Sequence, residues 1–162
     1  MGLRTLKRRR RENKTDYKLR RGLLTSGTPR IVIRITNKYF IVQAVESKES
    51  QDHVLAGVTS KDLLNKGWDI KKSGSLKSIP AGYLTGLLLA KKLGTNNKKF
   101  IMDLGMIRTI KGSRVFSVVK GLLDGGIKTS ADEKVFPREE RISGEHLKDD
   151  VKEMISKVRA KL

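Results

Sequence analysis

The sequence predicts an α/β fold of the α+β kind: a mixed β-sheet of about four strands with helices packed on it, preceded by a basic arm and closed by an amphipathic helix. Three observations carry this. Short runs of β-branched and aromatic residues come first, apolar residues at helical spacing come later, and the resulting order is β-β-β-α-β-α-α. At 162 residues the chain is one domain with an appendage, large enough to bury a core without staples. The arm is placed at residues 1–14 and the domain at 15–162, with the last helix starting near 143. No repeat with a period of roughly 20 to 50 residues is evident.

The elements follow from local chemistry. Met1 to Asn13 has little apolar content and is expected to be extended or disordered until a partner supplies counter-charge. Thr15 is the expected cap of a short helix that shows Tyr17, Leu19, Leu23 and Leu24 between cations, ended by Gly27 and Pro29. Ile31 to Ile35 and Tyr39 to Val45, separated by Asn37-Lys38, read as a β-hairpin. A polar linker, Glu46 to Asp52, leads to a third strand at His53 to Thr59, then to a short helix capped by Thr59 or Ser60. Ser73 to Ser78 reads as a loop. Ile79-Pro80 opens a long helix, since proline at the first position loses no needed donor, and Gly94 ends it. Its Tyr83, Leu84, Leu87 and Leu88 form a core-facing stripe. Phe100 to Leu104 is a short apolar strand inside the sheet. A second long helix spans Ser113 to Asp124, faced by Val115, Val118, Val119 and Leu122 and stopped by Gly125-Gly126. Ser143 is the expected cap of the last helix, where Leu147, Val151, Met154, Ile155, Val158 and Leu162 recur at helical spacing. Acids early and cations late in that helix suit its dipole.

Charge is the strongest functional signal. The first 38 residues hold 13 of the 36 Lys and Arg side chains against two acids, Glu12 and Asp16, including the run Lys7-Arg8-Arg9-Arg10-Arg11. The formal charge of +19, with a pI of about 10.4, would repel itself in a compact chain unless a polyanion neutralises much of it. A lone basic run reads as a solvated tail or a targeting signal. Here the excess of the whole chain points to nucleic acid, and to RNA in particular, because guanidinium grips phosphate bidentately and stacks on bases.

Other functions are disfavoured. Zero cysteines exclude disulfides, thiolate metal sites and a thiol nucleophile, and fit a reducing compartment such as the cytoplasm. The longest uncharged apolar stretch, Ile79 to Ala90, is too short to span a bilayer, and the amino terminus lacks a signal peptide's apolar core. Gly105 to Ser113 resembles a phosphate-binding loop, yet Lys111 precedes Gly112 instead of following it, so it fails as a nucleotide P-loop. Two readings stay open for it: Arg108, Lys111 and the Ser113 hydroxyl hold an RNA phosphate at the helix start, or the segment is a flexible loop with an ordinary serine cap. Asp103 and Asp124 are the only acids near core-element ends. Without a third acid or a nearby histidine they make a poor metal-dependent nuclease. His53 and His146 lie far apart and read as surface or cap residues. No catalytic residue, metal, cofactor or small-molecule substrate is expected.

Four ordered blocks then carry a specific likeness. Thr15-Asp16-Tyr17-Lys18 through Asn37-Lys38-Tyr39, Ile79 through Gly86, Lys111-Gly112-Ser113-Arg114-Val115-Phe116, and Pro137 through His146 together resemble the universal L-eighteen family of ribosomal proteins. The likeness runs from about Leu3 to Leu147 and is nearest the archaeal form. It implies ribonuclease-H-like α/β layers without the acidic catalytic cluster. It also implies a structural role in the cytoplasmic large ribosomal subunit: binding 5S ribosomal RNA, fixing it to the large-subunit RNA in the central protuberance, and meeting neighbouring ribosomal proteins. The chain stops soon after the Gly144-Glu145-His146 segment, which puts a longer carboxy-terminal extension of the family in doubt.

Carried residue by residue, the resemblance assigns Arg4, Lys7, Arg8, Arg9, Arg10, Arg11 and Lys14 to threading between RNA segments, with Tyr17, Lys18, Arg20 and Arg21 continuing the contact. Arg30, Arg34, Lys38 and Tyr39 would face the 5S RNA. Tyr39 either stacks on a base or sugar or packs across strands. Lys111, Ser113 and Arg114 are second-tier contacts. Two competitors remain. A general nucleic-acid packaging protein would not distinguish RNA from duplex DNA, and an RNA-processing enzyme would turn over with divalent metal and lose activity in Asp103→Asn.

Overall fold

A computed structural model describes residues 5–49, 51–94 and 98–162. Helices α1 (Arg8–Arg11) and α2 (Tyr17–Thr25) lead into strands β1 (Arg30–Ile35), β2 (Phe40–Lys48) and β3 (Gln51–Thr59). Helix α3 (Ile79–Leu93), strand β4 (Lys99–Asp103), helix α4 (Arg114–Asp124) and strand β5 (Lys128–Thr129) follow, then helices α5 (Glu139–Ser143) and α6 (Asp149–Ala160). The strands form one open mixed sheet in the order β3-β2-β1-β4-β5, antiparallel among β1, β2 and β3 and parallel from β1 through β4 to β5. The expected α+β class is therefore observed. The sheet has five strands where about four were predicted, because the two-residue β5 is too short to leave a periodic signal.

Alternation decides the two faces of the sheet. Ile31, Ile33, Phe40, Val42, Ala44, Ala56 and Val58 point one way and are buried against Leu89 and Ala90 of α3 and Val115, Val118, Val119 and Leu122 of α4. A β-bulge between Ala44 and Val45 leaves both of those residues buried, then lets the hairpin run on past the body, so that all of Gln51 to Leu55 is exposed. Glu46 to Asp52 is thus no linker: its polar residues are the outer turns of two paired strands, with Ser47 opposite Asp52.

The contact between α3 and α4 depends on missing side chains. Gly82, Gly86 and Ala90 recur every fourth residue on α3, and Ser117 and Gly121 of α4 continue at the same spacing to Gly125, which caps that helix. A Cβ on Gly86 would overlap the Val118 carbonyl, and one on Gly121 would overlap the Tyr83 carbonyl. The two backbones therefore touch directly, which lets one pair of helices cover the sheet. On the far side of α3 a second apolar cluster holds Leu63, Trp68, Leu76, Tyr83 and Leu84 with Ile142, Met154, Ile155 and Val158.

Several expected boundaries move. The arm, expected to be extended or disordered until a partner supplies counter-charge, winds one turn at Arg8–Arg11, where Glu12 lies 3.7 Å from Arg8 at i,i+4. Asp16 caps α2 in place of Thr15, its Oδ1 accepting from the Lys18 and Leu19 amides at 2.9 and 3.2 Å. Thr59 opens a 3-10 helix over Ser60–Lys66, its amide donating to Asp62 at 2.8 Å, and a second 3-10 turn over Ile70–Ser75 replaces part of the expected loop. Ser143 does not cap the last helix: it ends α5, Gly144 turns the chain at φ +81°, and α6 starts only after Lys148. Apolar spacing runs through Leu147 because that residue packs on the same cluster without being helical.

Candidate nucleic-acid interface

The second face of the sheet bears charge where the first bears aliphatics. Arg30 and Arg34 lie four apart on β1, hence on one side, and a strand that turns two guanidinium groups toward a partly covered face must supply acids. Asp52 on β3 and Asp103 on β4 do so. Arg30 donates to Asp52 at 2.6 Å and to Ser47 at 2.9 Å, and its Nε lies 3.7 Å from Asp103. Arg34 donates to the Asp103 carboxylate at 2.9 Å and to its carbonyl at 2.8 Å. Arg20 of α2 reaches the same Asp52 at 3.7 Å. The result is a ladder, Arg20–Asp52–Arg30–Asp103–Arg34, that ties α2 to strands β1, β3 and β4. Three cations against two carboxylates leave it net positive. A hydroxyl donated by Ser47, aided by the two arginines, holds the Asp52 carboxyl below its usual range against the opposing effect of partial burial.

The arm folds back onto this face. Lys7 sits 4.7 Å above the Tyr17 ring, and Arg9 donates to Thr15 at 3.0 Å, which is the role Thr15 takes instead of capping. Arg9, Lys14, Leu19, Arg20, Arg34 and Asp103 converge on a cleft of about 120 Å³ that also includes Met106. The two acids of the first 38 residues are both occupied internally: Glu12 with Lys14 at 2.8 Å and Arg8 at 3.7 Å, and Asp16 on the backbone of α2. Arg10, Arg11, Lys18 and Arg21 are exposed and have no acid within salt-bridge distance among the described residues.

The structure thus gathers Arg9, Lys14, Arg20 and Arg34 around one cleft, with Lys7, Arg8 and Tyr17 beside it. Arg4 lies outside the described residues. The Arg30 side chain is only 6% exposed and holds the ladder from beneath, so its position is that of a scaffold under the surface. Lys38 is exposed at the hairpin turn, whereas Tyr39, between the two strands, is half-buried against the second apolar cluster, whose buried members come from helices and turns and not from a facing strand. Lys111 and Arg114 are exposed near the start of α4, away from the cleft, and Arg114 reaches the Lys77 carbonyl at 3.4 Å. The Ser113 hydroxyl is buried with no partner and makes no cap bond. The Gly112 amide is taken by the Val135 carbonyl at 2.9 Å, so it is not offered to a phosphate.

Asp103 and Asp124, the candidate nuclease acids, are apart and engaged: Asp103 with arginines, Asp124 with the Tyr83 hydroxyl at 2.9 Å and Lys120 at 3.2 Å. Among the described residues no three His, Asp or Glu side chains gather where a metal ion could sit, and no helix is long and apolar enough to cross a membrane. Asp52 is the organising residue that sequence reasoning missed. The signal for it was the i,i+4 spacing of Arg30 and Arg34 on a strand, which demands acids on neighbouring strands at the same level.

Comparison with known proteins gives the family. A family model described as "Ribosomal large subunit proteins 60S L5, and 50S L18" matches residues 3–99. The chain is 42% identical to the large ribosomal subunit protein uL18 of Caldivirga maquilingensis, over 86% of this chain and 67% of that protein. It is 45% identical to uL18 of Korarchaeum cryptofilum, over 86% and 70% of the two chains. Against uL18 of Methanoculleus marisnigri the identity is 43%, over 86% and 78%.

Proposed function

Because the chain belongs to the uL18 family of large-ribosomal-subunit proteins, structural components and not enzymes, we propose that it binds 5S ribosomal RNA and attaches it to the large-subunit RNA in the central protuberance. Family membership itself gives the coarser statement: the protein is a constituent of the large subunit in the cytoplasm, with ribosomal RNA and ribosomal proteins around it. The observation that carries the finer one is the open basic face. Its four acids, Glu12, Asp16, Asp52 and Asp103, are engaged within the protein, while Arg10, Arg11, Lys18 and Arg21 are exposed with no acid in salt-bridge reach among the described residues, which leaves them for phosphate.

Binding then divides into two tasks. Arg8, Arg9, Arg10, Arg11, Lys14, Lys18, Arg20 and Arg21 neutralise phosphates and release counterions, with Lys7 and Tyr17 as a cation-aromatic pair at their edge. Lys38 extends the charge to the hairpin turn, with Lys111 and Arg114 as outlying contacts; the buried Ser113 hydroxyl is not one of them. Phosphate contacts carry no sequence information, so selectivity comes from RNA shape and from the rigid spacing that the ladder imposes. Arg30 and the Asp103 end of Arg34 supply that spacing.

The test is a titration at several salt concentrations with 5S ribosomal RNA, a scrambled RNA of equal length and duplex DNA, repeated after deleting Met1 to Asn13. The deletion removes six cations, Arg4 and Lys7 to Arg11. If all six meet phosphates, the slope of log affinity against log salt becomes shallower by about 4 to 5. A 5S advantage that persists at high salt supports the proposal. Equal affinities that fade together would instead make the chain a general nucleic-acid packaging protein.

A further inference from the structure

We propose that the groove between the Ile70–Ser75 turn and α6 seats an apolar side chain carried by an acidic segment of another protein. The groove encloses about 350 Å³ and is walled by Trp68, Gly74, Leu147, Val151 and Ile155. Its floor is firm: Trp68 is 2% exposed, Ile155 is 4% exposed, and the indole Nε1 donates to the Lys72 carbonyl at 3.3 Å. Its side is open at Gly74, where an added Cβ would meet nothing within 4 Å. A cavity at the small end of ligand pockets, lined by indole and aliphatic carbon, suits one or two apolar side chains better than a phosphate.

Charge names the rest of the occupant. Lys71 and Lys72 form one lip, and neither has an acidic partner within salt-bridge reach among the described residues. The nearest acid on their own turn, Asp69, is occupied in capping it, with Oδ1 accepting the Lys71 amide at 2.9 Å. Asp149 and Asp150 in the first turn of α6 do not line the groove, and Asp149 is paired with Lys152 at 2.9 Å. An entering segment therefore meets unpaired positive charge on the turn side and an apolar slot behind it. Ile70, 77% exposed and next to Lys71, adds apolar surface outside the slot. The groove belongs to the cluster beyond α3 and shares no lining residue with the cleft that gathers Arg9, Lys14, Arg20 and Arg34, so RNA held at that cleft leaves the groove open. The inference does not depend on which RNA the other face takes.

Trp68 is the only tryptophan of the chain, which makes its emission a reporter for this groove in the full-length protein. The assay titrates the intact protein with a short acetylated peptide of Asp, Glu, Leu and Phe. A peptide with Ser in place of Leu and Phe, one with Lys in place of the acids, and an oligouridylate serve as comparisons. The serine peptide can still bind the basic arm, so it separates charge at a distance from occupancy of the slot. The expected result is a saturable change in Trp68 emission with the first peptide alone. The apparent affinity should weaken by about three- to tenfold in Lys71→Glu, an exposed position that leaves the core intact. Val151→Asp, half-buried on the α6 wall, should abolish the change while circular dichroism stays that of the parent. An unchanged emission, or an equal response to the serine peptide, the lysine peptide or the oligouridylate, would overturn the proposal.

Discussion

Gly121→Ala tests the backbone contact that lets α3 and α4 cover the sheet, because two known effects act there with opposite signs. In an exposed helix interior, alanine is better than glycine by about 1 kcal/mol, so the substitution alone should stabilise. At Gly121 the new Cβ would overlap the Tyr83 carbonyl of α3, and Leu87 N lies only 3.2 Å away. Both groups are helix backbone and cannot rotate aside, so the helices must separate along a line that also includes Gly86 against Val118 and Gly125 against Ala90. Overpacking of a well-filled core costs about 1–3 kcal/mol, and a backbone neighbour puts this site at the upper end. The net expectation is a loss of about 2 kcal/mol, or about 4–8 °C in thermal midpoint for a chain of this size. Gly22→Ala is the internal control: the residue is exposed within α2 and its Cβ would meet nothing within 4 Å, so the same change should stabilise by up to about 1 kcal/mol. Urea unfolding of the three proteins decides the matter. A Gly121→Ala protein as stable as the parent, or more so, would refute the argument that close backbone approach sets this interface.

Three further outcomes are expected. Asp52 has a folded pKa below its free value, so its stabilising effect is complete above about pH 4 and disappears as pH falls through the folded value. Acid unfolding curves should therefore differ in slope between parent and Asp52→Asn below about pH 4, and the difference between the two stabilities should be flat at higher pH. Burial and the hydrogen bond to Asp124 push the Tyr83 hydroxyl up to about 12, and a raised folded pKa means stability is lost as pH rises from about 10 through 12. Ultraviolet titration should find one late phenol, absent in Tyr83→Phe, which should also unfold less steeply in alkali. Arg30→Met should lower selectivity for structured RNA more than overall affinity, since it loosens the ladder without removing an exposed cation. Competition binding at fixed salt measures both, and an equal loss on every RNA would contradict the scaffold role.

Much of the fold was legible because the governing signals are local and repeated. The β-branched runs of β1 and β2 and the apolar stripe of α4 each report a face, and Pro80 and Gly94 bracket α3 by backbone chemistry alone. Three things were not legible, for distinct reasons. The extension of β2 and β3 through Glu46 to Asp52 is polar because the hairpin projects beyond the body, so periodicity had no buried side to mark. The stop at Gly144 hides inside an apolar spacing, since Leu147 packs on the same cluster as α6 before that helix begins. The closeness of α3 and α4 is carried by Gly86 and Gly121, whose meaning depends on being opposite each other, a relation between residues 35 apart that neither helix records alone.

The candidate interface shows the same division between charge that a chain can announce and charge that only a fold can arrange. Lys7 to Arg11 declare a polyanion partner wherever they lie, and their own conformation hardly matters to that statement. Arg30 and Arg34 look like more of the same in the sequence. On the sheet they have a different physical task, because an arginine that is 6% exposed must be met by carboxylate or become a costly buried charge. Asp52 and Asp103 meet it, and in doing so each carboxylate also draws in a second, more exposed arginine, Arg20 from α2 and Arg34 from the strand edge. The acids thus order the basic surface without cancelling it: three arginines on two aspartates keep one positive charge in the ladder, and its outer cations acquire fixed positions. An arm without this ladder would bind phosphate at any spacing, whereas cations held on β1 and α2 favour an RNA whose phosphates come at theirs.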